Sequence, residues 1–236
     1  MAKEIEPKLK LISEYLKLQE KEKFVIPEYQ REYSWTISQC DKLWQDIEAF
    51  INSGAEDPYF FGTVIVDCND GKKEYNLIDG QQRTTTFILL LRALLIRLND
   101  ALNNFQKTED SEVLEEGLKE HRNKIMDILY KADVKKRDLI RKNWEVVKKG
   151  VHLLENHSIN ELYRDDLNKI LYAKSFIDAE KIVHKTPKKQ KDNKYTNFFR
   201  NFKFFYGKLA PDSYSESKLC NFAEILLGKC QIIIAV

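Results

Sequence analysis

The stretch YNLIDGQQRTTTFILLLRALLIRLNDAL, residues 75–102, predicts a strand, a tight turn and a long helix in direct succession. A short apolar run ends at Asp79-Gly80, a pair that is typical of turns. After six polar residues, apolar side chains recur at the 3.6-residue spacing of a helix, at Phe87, Leu90, Leu91, Leu94, Leu95, Leu98 and Leu102. We expect the rest of the chain to be organised around this strand-turn-helix unit.

The polar residues 81–86 fall where a helix leaves its first backbone N–H groups without partners. Such a helix start attracts anions, and Gly80 permits a ligand to approach the backbone closely. Arg83 adds a planar set of donors suited to phosphate, and Asp79 is chemically able to hold a metal, a ribose hydroxyl or a water. The alternative is a purely structural turn, in which Asp79 caps the helix and the threonines complete the cap.

Composition places few limits on the partners of this chain. It has 236 residues, with 39 Lys and Arg against 37 Asp and Glu, so any basic surface must be local. No apolar run approaches the length of a membrane span, and the N-terminus lacks the apolar core of a signal peptide. The four cysteines are scattered, without the spacing of zinc ligands. We therefore expect a soluble, cytoplasmic protein with reduced thiols.

The segment upstream, residues 24–35, reads FVIPEYQREYSW and is extended by pattern. Its β-branched start favours a strand, and Pro27 excludes a helix interior. Its mixture of aromatic, amide and guanidinium groups is typical of nucleotide or nucleic-acid sites. Tyr33 and Trp35 are candidates for stacking on a base, and they could equally pack beneath the next helix.

Periodicity and turn signals predict the other elements of the first half. We expect helices over residues 8–20 and 37–50, the second opened by a capping box of Thr36 and Gln39. A strand over residues 59–66 should return through a turn at 69–71 into the strand at 75–78, as a hairpin. Within it, Gly62 indicates a bulge, a close backbone approach or plain packing.

The second half is predicted to be mostly helical. Helices are expected over residues 110–131, 136–155, 158–173, 195–206 and 216–227, followed by a strand over 231–236. Aromatic residues in the fourth of these helices follow the spacing of a core stripe. The loop before that helix is basic, and its candidate DNA contacts are Lys185, Lys188, Lys189 and Lys191.

The predicted fold class is α+β. A small mixed-sheet core with helices should occupy residues 1–105, and a mostly α-helical extension should occupy residues 106–236. Because the chain stops within an apolar strand, we also expect it to be part of a longer protein. Several chemistries are excluded by their missing motifs: GxxxxGK[ST], GxGxxG, HExxH and an HNH-like His/Asn constellation do not occur in the sequence.

Two polar motifs can be read together. The first motif, residues 26–35, is Ile26-Pro27-x-Tyr29-Gln30-Arg31-x-Tyr33-x-Trp35, and the second motif, residues 79–84, is Asp79-Gly80-Gln81-Gln82-Arg83-Thr84. With Tyr59-Phe60-x-Gly62 between them, they resemble the N-terminal domain of the GmrSD-type modification-dependent restriction endonucleases, which belongs with the ParB and sulfiredoxin-like proteins. In the second half, the best match is Asn193-x-Tyr195-x-Asn197-Phe198-Phe199.

The resemblance implies a ParB and sulfiredoxin-like mixed sheet in which the two motifs face one another across a nucleotide pocket. It also implies hydrolysis of a nucleoside triphosphate with Mg²⁺ or another divalent cation, as the regulatory step of DNA restriction or phage defence. By position, the catalytic group would be Asp79, Gln81, Gln82 and Arg83, with Asp79 as the candidate metal ligand. Nucleotide and phosphate binding would fall to Tyr29, Gln30, Arg31, Gly80 and Thr84.

Longer members of the family carry a C-terminal HNH nuclease domain, which these 236 residues lack. DNA cleavage would then require a nuclease domain or subunit outside this chain. Two other functions remain open. The core could be a ParB-like module that binds or nicks DNA, or the pocket could be inactive and the helices an interaction scaffold. The scaffold alternative implies a homo-oligomer formed through the helical half.

Overall fold

A computed structural model of the chain describes residues 7–69, 71, 73–108, 111–150, 152–157 and 161–236. It is an α+β structure, as predicted, in which helices surround one mixed sheet. The strands are β1 Pro7–Leu11, β2 Lys23–Ile26, β3 Tyr59–Asn69, β4 Glu74–Asp79, β5 Leu154–Asn156 and β6 Cys230–Ala235. The helices are α1 Ile12–Tyr15, α2 Ile37–Ser53, α3 Gln81–Asn103, α4 Glu112–Tyr130, α5 Val134–Lys142, α6 Glu161–Tyr172, α7 Phe176–Ile182, α8 Asn197–Lys208 and α9 Glu216–Gly228, with 3-10 helices at Trp144–Lys149 and Lys191–Lys194.

The sheet brings together strands that are far apart in the sequence. Its order is β1-β6-β3-β4-β2-β5. The predicted hairpin of β3 and β4 is confirmed by their antiparallel pairing, although Asp70 of its turn lies outside the described residues. Strand β6 pairs with β3 in parallel and with β1 antiparallel, and β5 pairs with β2 in parallel. The sheet therefore contains two strands from residues 106–236, and the division of the chain at residue 105 stays a prediction.

Helix α3 is the centre of the core. Its apolar residues from Phe87 to Leu95 are fully buried, and the polar Arg92 among them is buried as well. Helices α4 and α8 contact it along its length. The predicted core stripe of α8 is confirmed, because Phe198, Phe199, Phe202 and Phe205 are buried against this helix layer. No helix in the described part of the chain is long and apolar enough to cross a membrane.

Two helix predictions were wrong over part of their length. Residues 8–20 were predicted as one helix, yet Pro7–Leu11 is a strand and the helix is limited to Ile12–Tyr15, because β6 offers a pairing partner. Residues 136–155 were also predicted as one helix. That helix ends at Lys142, a 3-10 turn follows, and Leu154–Asn156 pairs with β2. Residues 110, 151 and 158–160 of the predicted helices lie outside the described residues.

Candidate functional site

Gly80 sets the geometry of the junction between β4 and α3. Its φ is +84°, a left-handed backbone conformation that residues with a side chain rarely adopt. A Cβ at this position would lie 2.6 Å from Cγ2 of Val64 and 3.2 Å from its Cα. The residue must therefore be glycine, and the tight turn aims the start of α3 at the first motif.

Gln82 attaches the first motif to this junction. Its Oε1 accepts hydrogen bonds from the backbone N–H groups of Ser34 at 2.8 Å and Trp35 at 3.2 Å. Its Nε2 donates to the carbonyl of Glu32 at 2.9 Å. The side chain is buried, and its amide pairs with backbone N–H and C=O groups as the backbone of a neighbouring strand would. Gln82 thus holds residues 32–35 against the helix start.

Gln30 and Gln81 make a second connection. Nε2 of Gln30 donates to the carbonyl of Ile78 at 2.8 Å, and Nε2 of Gln81 donates to Oε1 of Gln30 at 3.1 Å. The Oε1 of Gln81 is buried and has no hydrogen-bond partner among the described residues. One amide acceptor at the helix start is therefore left without a partner, at a cost in free energy.

Arg83 lies across strand β3. Its Nη1 donates to the carbonyl of Thr63 at 3.0 Å. Gly62 has a φ of +96°, and a Cβ there would come within 3.1 Å of Nη2 of Arg83. The guanidinium group therefore packs on the backbone at Gly62. A side chain at position 62 would collide with it, which explains why this residue is glycine.

The hydroxyl of Thr84 is used inside the protein. It donates to the carbonyl of Gly80 at 3.0 Å and lies 2.8 Å from the hydroxyl of Tyr15. Burial raises the pKa of Tyr15, so this phenol stays protonated and can donate. Thr84 itself is fully buried, and its contacts stabilise the turn.

Three further residues proposed for the site are exposed around the junction. Tyr29 and Arg31 flank Gln30, and the side chain of Tyr29 is 73% exposed. Asp79 follows Ile78 and is also exposed. Among the described residues, no three His, Cys, Asp or Glu side chains form a metal-binding group. Asp79 as a metal ligand stays a prediction.

The aromatic residues of the first motif lie on its other side. The ring of Tyr33 is buried and stacks on Phe198, with centroids 4.8 Å apart. Its hydroxyl is 2.8 Å from Thr86 Oγ1 and accepts from Nδ2 of Asn201 at 2.9 Å. The same Nδ2 donates to the carbonyl of Trp35 at 2.8 Å. The structure thus places Tyr33 within the core contact between the first motif and α8, and Trp35 is half-buried beside it.

A cleft of about 600 Å³ opens beside these residues. Its polar walls include Glu32, Ser34, Lys189, Asn193, Asn197 and Arg200. Of the four candidate DNA contacts, Lys189 reaches this cleft, while Lys185, Lys188 and Lys191 are exposed elsewhere on the loop. The residues of the second motif do not line it.

The basic loop is anchored by a carboxylate that the sequence interpretation missed. Asp166 is fully buried and accepts from the backbone N–H of His184 and from Oγ1 of Thr196, both at 2.7 Å. Asn201 was missed as well, since a single polar residue in an apolar stripe was the only signal. The match at Asn193-x-Tyr195-x-Asn197 did indicate this region, because both asparagines line the cleft.

Comparison with known proteins gives one result that covers nearly the whole chain. Residues 12–234 match the family model described as "GmrSD restriction endonuclease, N-terminal domain". A search of curated proteins finds no match. The match extends beyond the two motifs, through the helices of the second half to strand β6. The chain therefore belongs to the family of GmrSD restriction endonuclease N-terminal domains.

Proposed function

We propose that this chain binds and hydrolyses a nucleoside triphosphate, as the regulatory module of a modification-dependent restriction or phage-defence system. One observation carries the proposal: two motifs far apart in the sequence are joined at the start of the longest helix. Gln30 bonds to Ile78 and Gln81, and Gln82 bonds to residues 32–35. Cleavage of DNA would be supplied by an HNH nuclease domain or subunit outside these residues.

The junction has the chemistry of a phosphate site. Thr84 donates its backbone N–H to the carbonyl of Gly80. No described residue accepts from the N–H groups of Gln81, Gln82 and Arg83, so these groups at the helix start would be available to an anion. Arg83, and the exposed Arg31 on the first motif, would add positive charge toward a triphosphate. Tyr29 is exposed on the same segment and free to contact a base.

The predicted catalytic residues have different contacts. The side-chain Oε1 of Gln82 already accepts two backbone hydrogen bonds, so we assign Gln82 to positioning the first motif. Asp79 and Gln81 are the candidates for orienting water, because Asp79 is exposed and Oε1 of Gln81 has no partner among the described residues. A single carboxylate fits Mg²⁺, which takes most of its other ligands from water and phosphate and would neutralise charge on the triphosphate.

The test measures thermal stability with each of the four ribonucleoside triphosphates, with and without Mg²⁺. A ligand of the folded state at a hundredfold excess over its Kd stabilises by about 2.7 kcal/mol. We expect one or more nucleotides to raise the Tm of the wild type, and Arg83→Ala to lose the part of that shift that comes from binding at this junction. Lys42→Ala, an exposed residue of α2, should keep the full shift.

Phosphate release is then measured on the same variants. Absence of any Tm shift at millimolar nucleotide, or an equal shift in Arg83→Ala and the wild type, would remove the nucleotide from this junction. A shift without phosphate release would retain binding and refute hydrolysis. Because Arg83→Ala also loses a hydrogen bond to Thr63, each shift is referred to the same variant without nucleotide.

A second candidate function is DNA binding, favoured by Lys189 and Arg200 in the cleft beside the first motif. Binding to phosphates releases counterions, so affinity should fall steeply with salt. We expect Lys189→Ala to weaken binding to a DNA duplex and to reduce the salt slope by about 1. An unchanged slope, or a slope near zero in the wild type, would argue against this function.

A further inference from the structure

A second polar cavity lies at the far end of α3. Its volume is about 690 Å³, and it is enclosed by the C-terminal half of α3, by α4 and α5, and by the start of α7. Its charged walls are four cationic side chains and two carboxylates: Arg122, Arg141, Lys142, Lys174, Asp100 and Asp178. The cavity therefore has an excess of positive charge, within the size range of small-molecule sites.

Arg122 is the central unpaired cation of this cavity. It forms no ion pair with any described residue, and its closest polar contact is a weak one from Nη2 to Oδ1 of Asn123 at 3.4 Å. Its Nε is buried without a hydrogen-bond partner in the described chain. Burial, followed by repulsion from Arg141 and Arg137, lowers the pKa of Arg122. The fold thus holds this guanidinium where its charge is unfavourable.

A second guanidinium reinforces the positive potential. Arg92 is fully buried, donates from Nε to the carbonyl of Ile170 at 3.1 Å and from Nη2 to the carbonyl of Ala173, and leaves Nη1 without a partner among the described residues. Its guanidinium lies over the ring of Trp144, 5.3 Å from the centroid. Trp144 is itself part of the cavity wall, so the charge lies directly behind it.

Neither carboxylate forms an ion pair with the four described cationic side chains of the wall, although Asp100 interacts electrostatically with the buried Arg92. Asp178 accepts a hydrogen bond from Oγ of Ser175 at 2.8 Å. Asp100 lies 4.0 Å from Arg97 and accepts from the hydroxyl of Tyr206 at 3.4 Å. Arg141 donates to Asp138 of its own helix at 2.9 Å and to Oδ1 of Asn123 on α4 at 2.6 Å. Arg122 therefore has no counter-charge from the carboxylates that line this cavity.

We propose that this cavity binds a small, polyvalent, phosphate-bearing anion, with Arg122 as its central contact and Arg141, Lys142 and Lys174 around it. Guanidinium and ammonium groups recognise phosphate by charge and by directed N–H donors. The site is separate from the β4–α3 junction. Arg83 and Asn99 lie on the same helix, about 24 Å apart along its axis at 1.5 Å per residue.

The experiment measures Tm with inorganic tripolyphosphate and with ATP, against chloride at matched ionic strength. It uses the full chain in the Arg83→Ala background, so that binding at the junction does not contribute. We expect tripolyphosphate to raise the Tm, and Arg122→Gln to weaken its binding at least tenfold. Arg141→Gln, at an exposed residue, should weaken it as well. Lys135→Gln, exposed on the same helix and outside the cavity, is the control.

The outcomes separate the alternatives. Loss of binding in Arg122→Gln and Arg141→Gln, with full binding in Lys135→Gln, supports the site. Tighter binding of ATP than of tripolyphosphate would assign the anion to a nucleotide, and equal binding would assign it to the phosphates alone. No shift with either probe, or equal shifts in all variants, would overturn the proposal. Nucleotide binding at the junction is judged separately, from the part of the Tm shift that is lost when Arg83 is replaced.

Discussion

The two ends of α3 bury polar groups in opposite ways. At its start, neutral amides pair with one another and with the backbone: Gln82 bonds to residues 32–35 and Gln30 to Ile78. Near its other end, the cationic Arg122 is close enough to Arg141 to be repelled by it and has no carboxylate partner in the described chain. Neutral polar groups with satisfied hydrogen bonds stabilise a fold, whereas an unpaired charge does not add to stability unless an anion binds to it.

This contrast separates residues whose hydrogen bonds stabilise the structure from residues whose polar groups are available to a ligand. At the junction, Gln82 and Thr84 belong to the first kind, and Arg31 and Asp79 remain exposed. A polar motif is therefore not uniformly functional. Replacing one residue of each kind should therefore have different effects on stability.

The largest effect is expected at Gly80. In Gly80→Ala, the left-handed backbone and the clash with Val64 should together lower the free energy of unfolding by about 3–5 kcal/mol. The matched control is Gly54→Ala, where φ is +61° and no atom lies within 4 Å of the added Cβ. That variant should lose about 1–2 kcal/mol. Denaturant unfolding of both would measure the difference, and equal losses would contradict the role of Val64.

Gln82→Leu should have the next largest effect. Leucine keeps the volume but leaves the carbonyl of Glu32 and the N–H of Ser34 without partners, at a cost of about 2–3 kcal/mol. In Gln39→Leu, the lost acceptor for the N–H of Thr36 is exposed, and the cost should be about 0.5–1 kcal/mol. Urea unfolding would rank the two. A smaller loss at Gln82 than at Gln39 would mean that the first motif is held by other contacts.

The smallest effect is expected at Arg122, and its sign is opposite. Without an added anion, Arg122→Gln relieves repulsion from Arg141 and Arg137 and should change the free energy of unfolding by less than about 1 kcal/mol, toward higher stability. The gain should shrink as salt screens the charges. Arg137→Gln is the contrast, because Arg137 pairs with Asp127 at 3.3 Å and its loss should destabilise. Unfolding at 50 mM and 500 mM NaCl would show both trends.

Local patterns predicted the elements whose partners are also local. The β4–α3 unit, the hairpin with β3 and the core stripe of α8 all depend on spacing within one segment. Strand β1 forms because it pairs with β6, and the helix before β5 ends early because β5 pairs with β2. The periodicity within one segment gives no information on such distant partners. An apolar spacing compatible with a helix was overridden by sheet pairing there.

The candidate site shows the same limit. The second motif could be located from sequence as polar residues at a helix start. Which residues of that motif hold the first motif, and which stay exposed, could not be predicted from the sequence. The hydrogen bond from Ser34 to Gln82 depends on how two distant segments meet. The cavity around Arg122 gave no sequence signal, since its cations come from two helices and the loop between α6 and α7 and have no common spacing.

Strand β6 has a consequence for how the protein is made. It inserts between β1 and β3, so that Tyr59 pairs with Cys230 and Pro7 with Ala235. While the chain is still on the ribosome, β1 and β3 cannot pair with β6 until residues 230–235 have emerged. Helices α3 and α4, which contact each other through nearby sequence, can associate much earlier. The sheet should therefore close after synthesis of the whole domain, and the open β3 edge should make the nascent chain a client for chaperones.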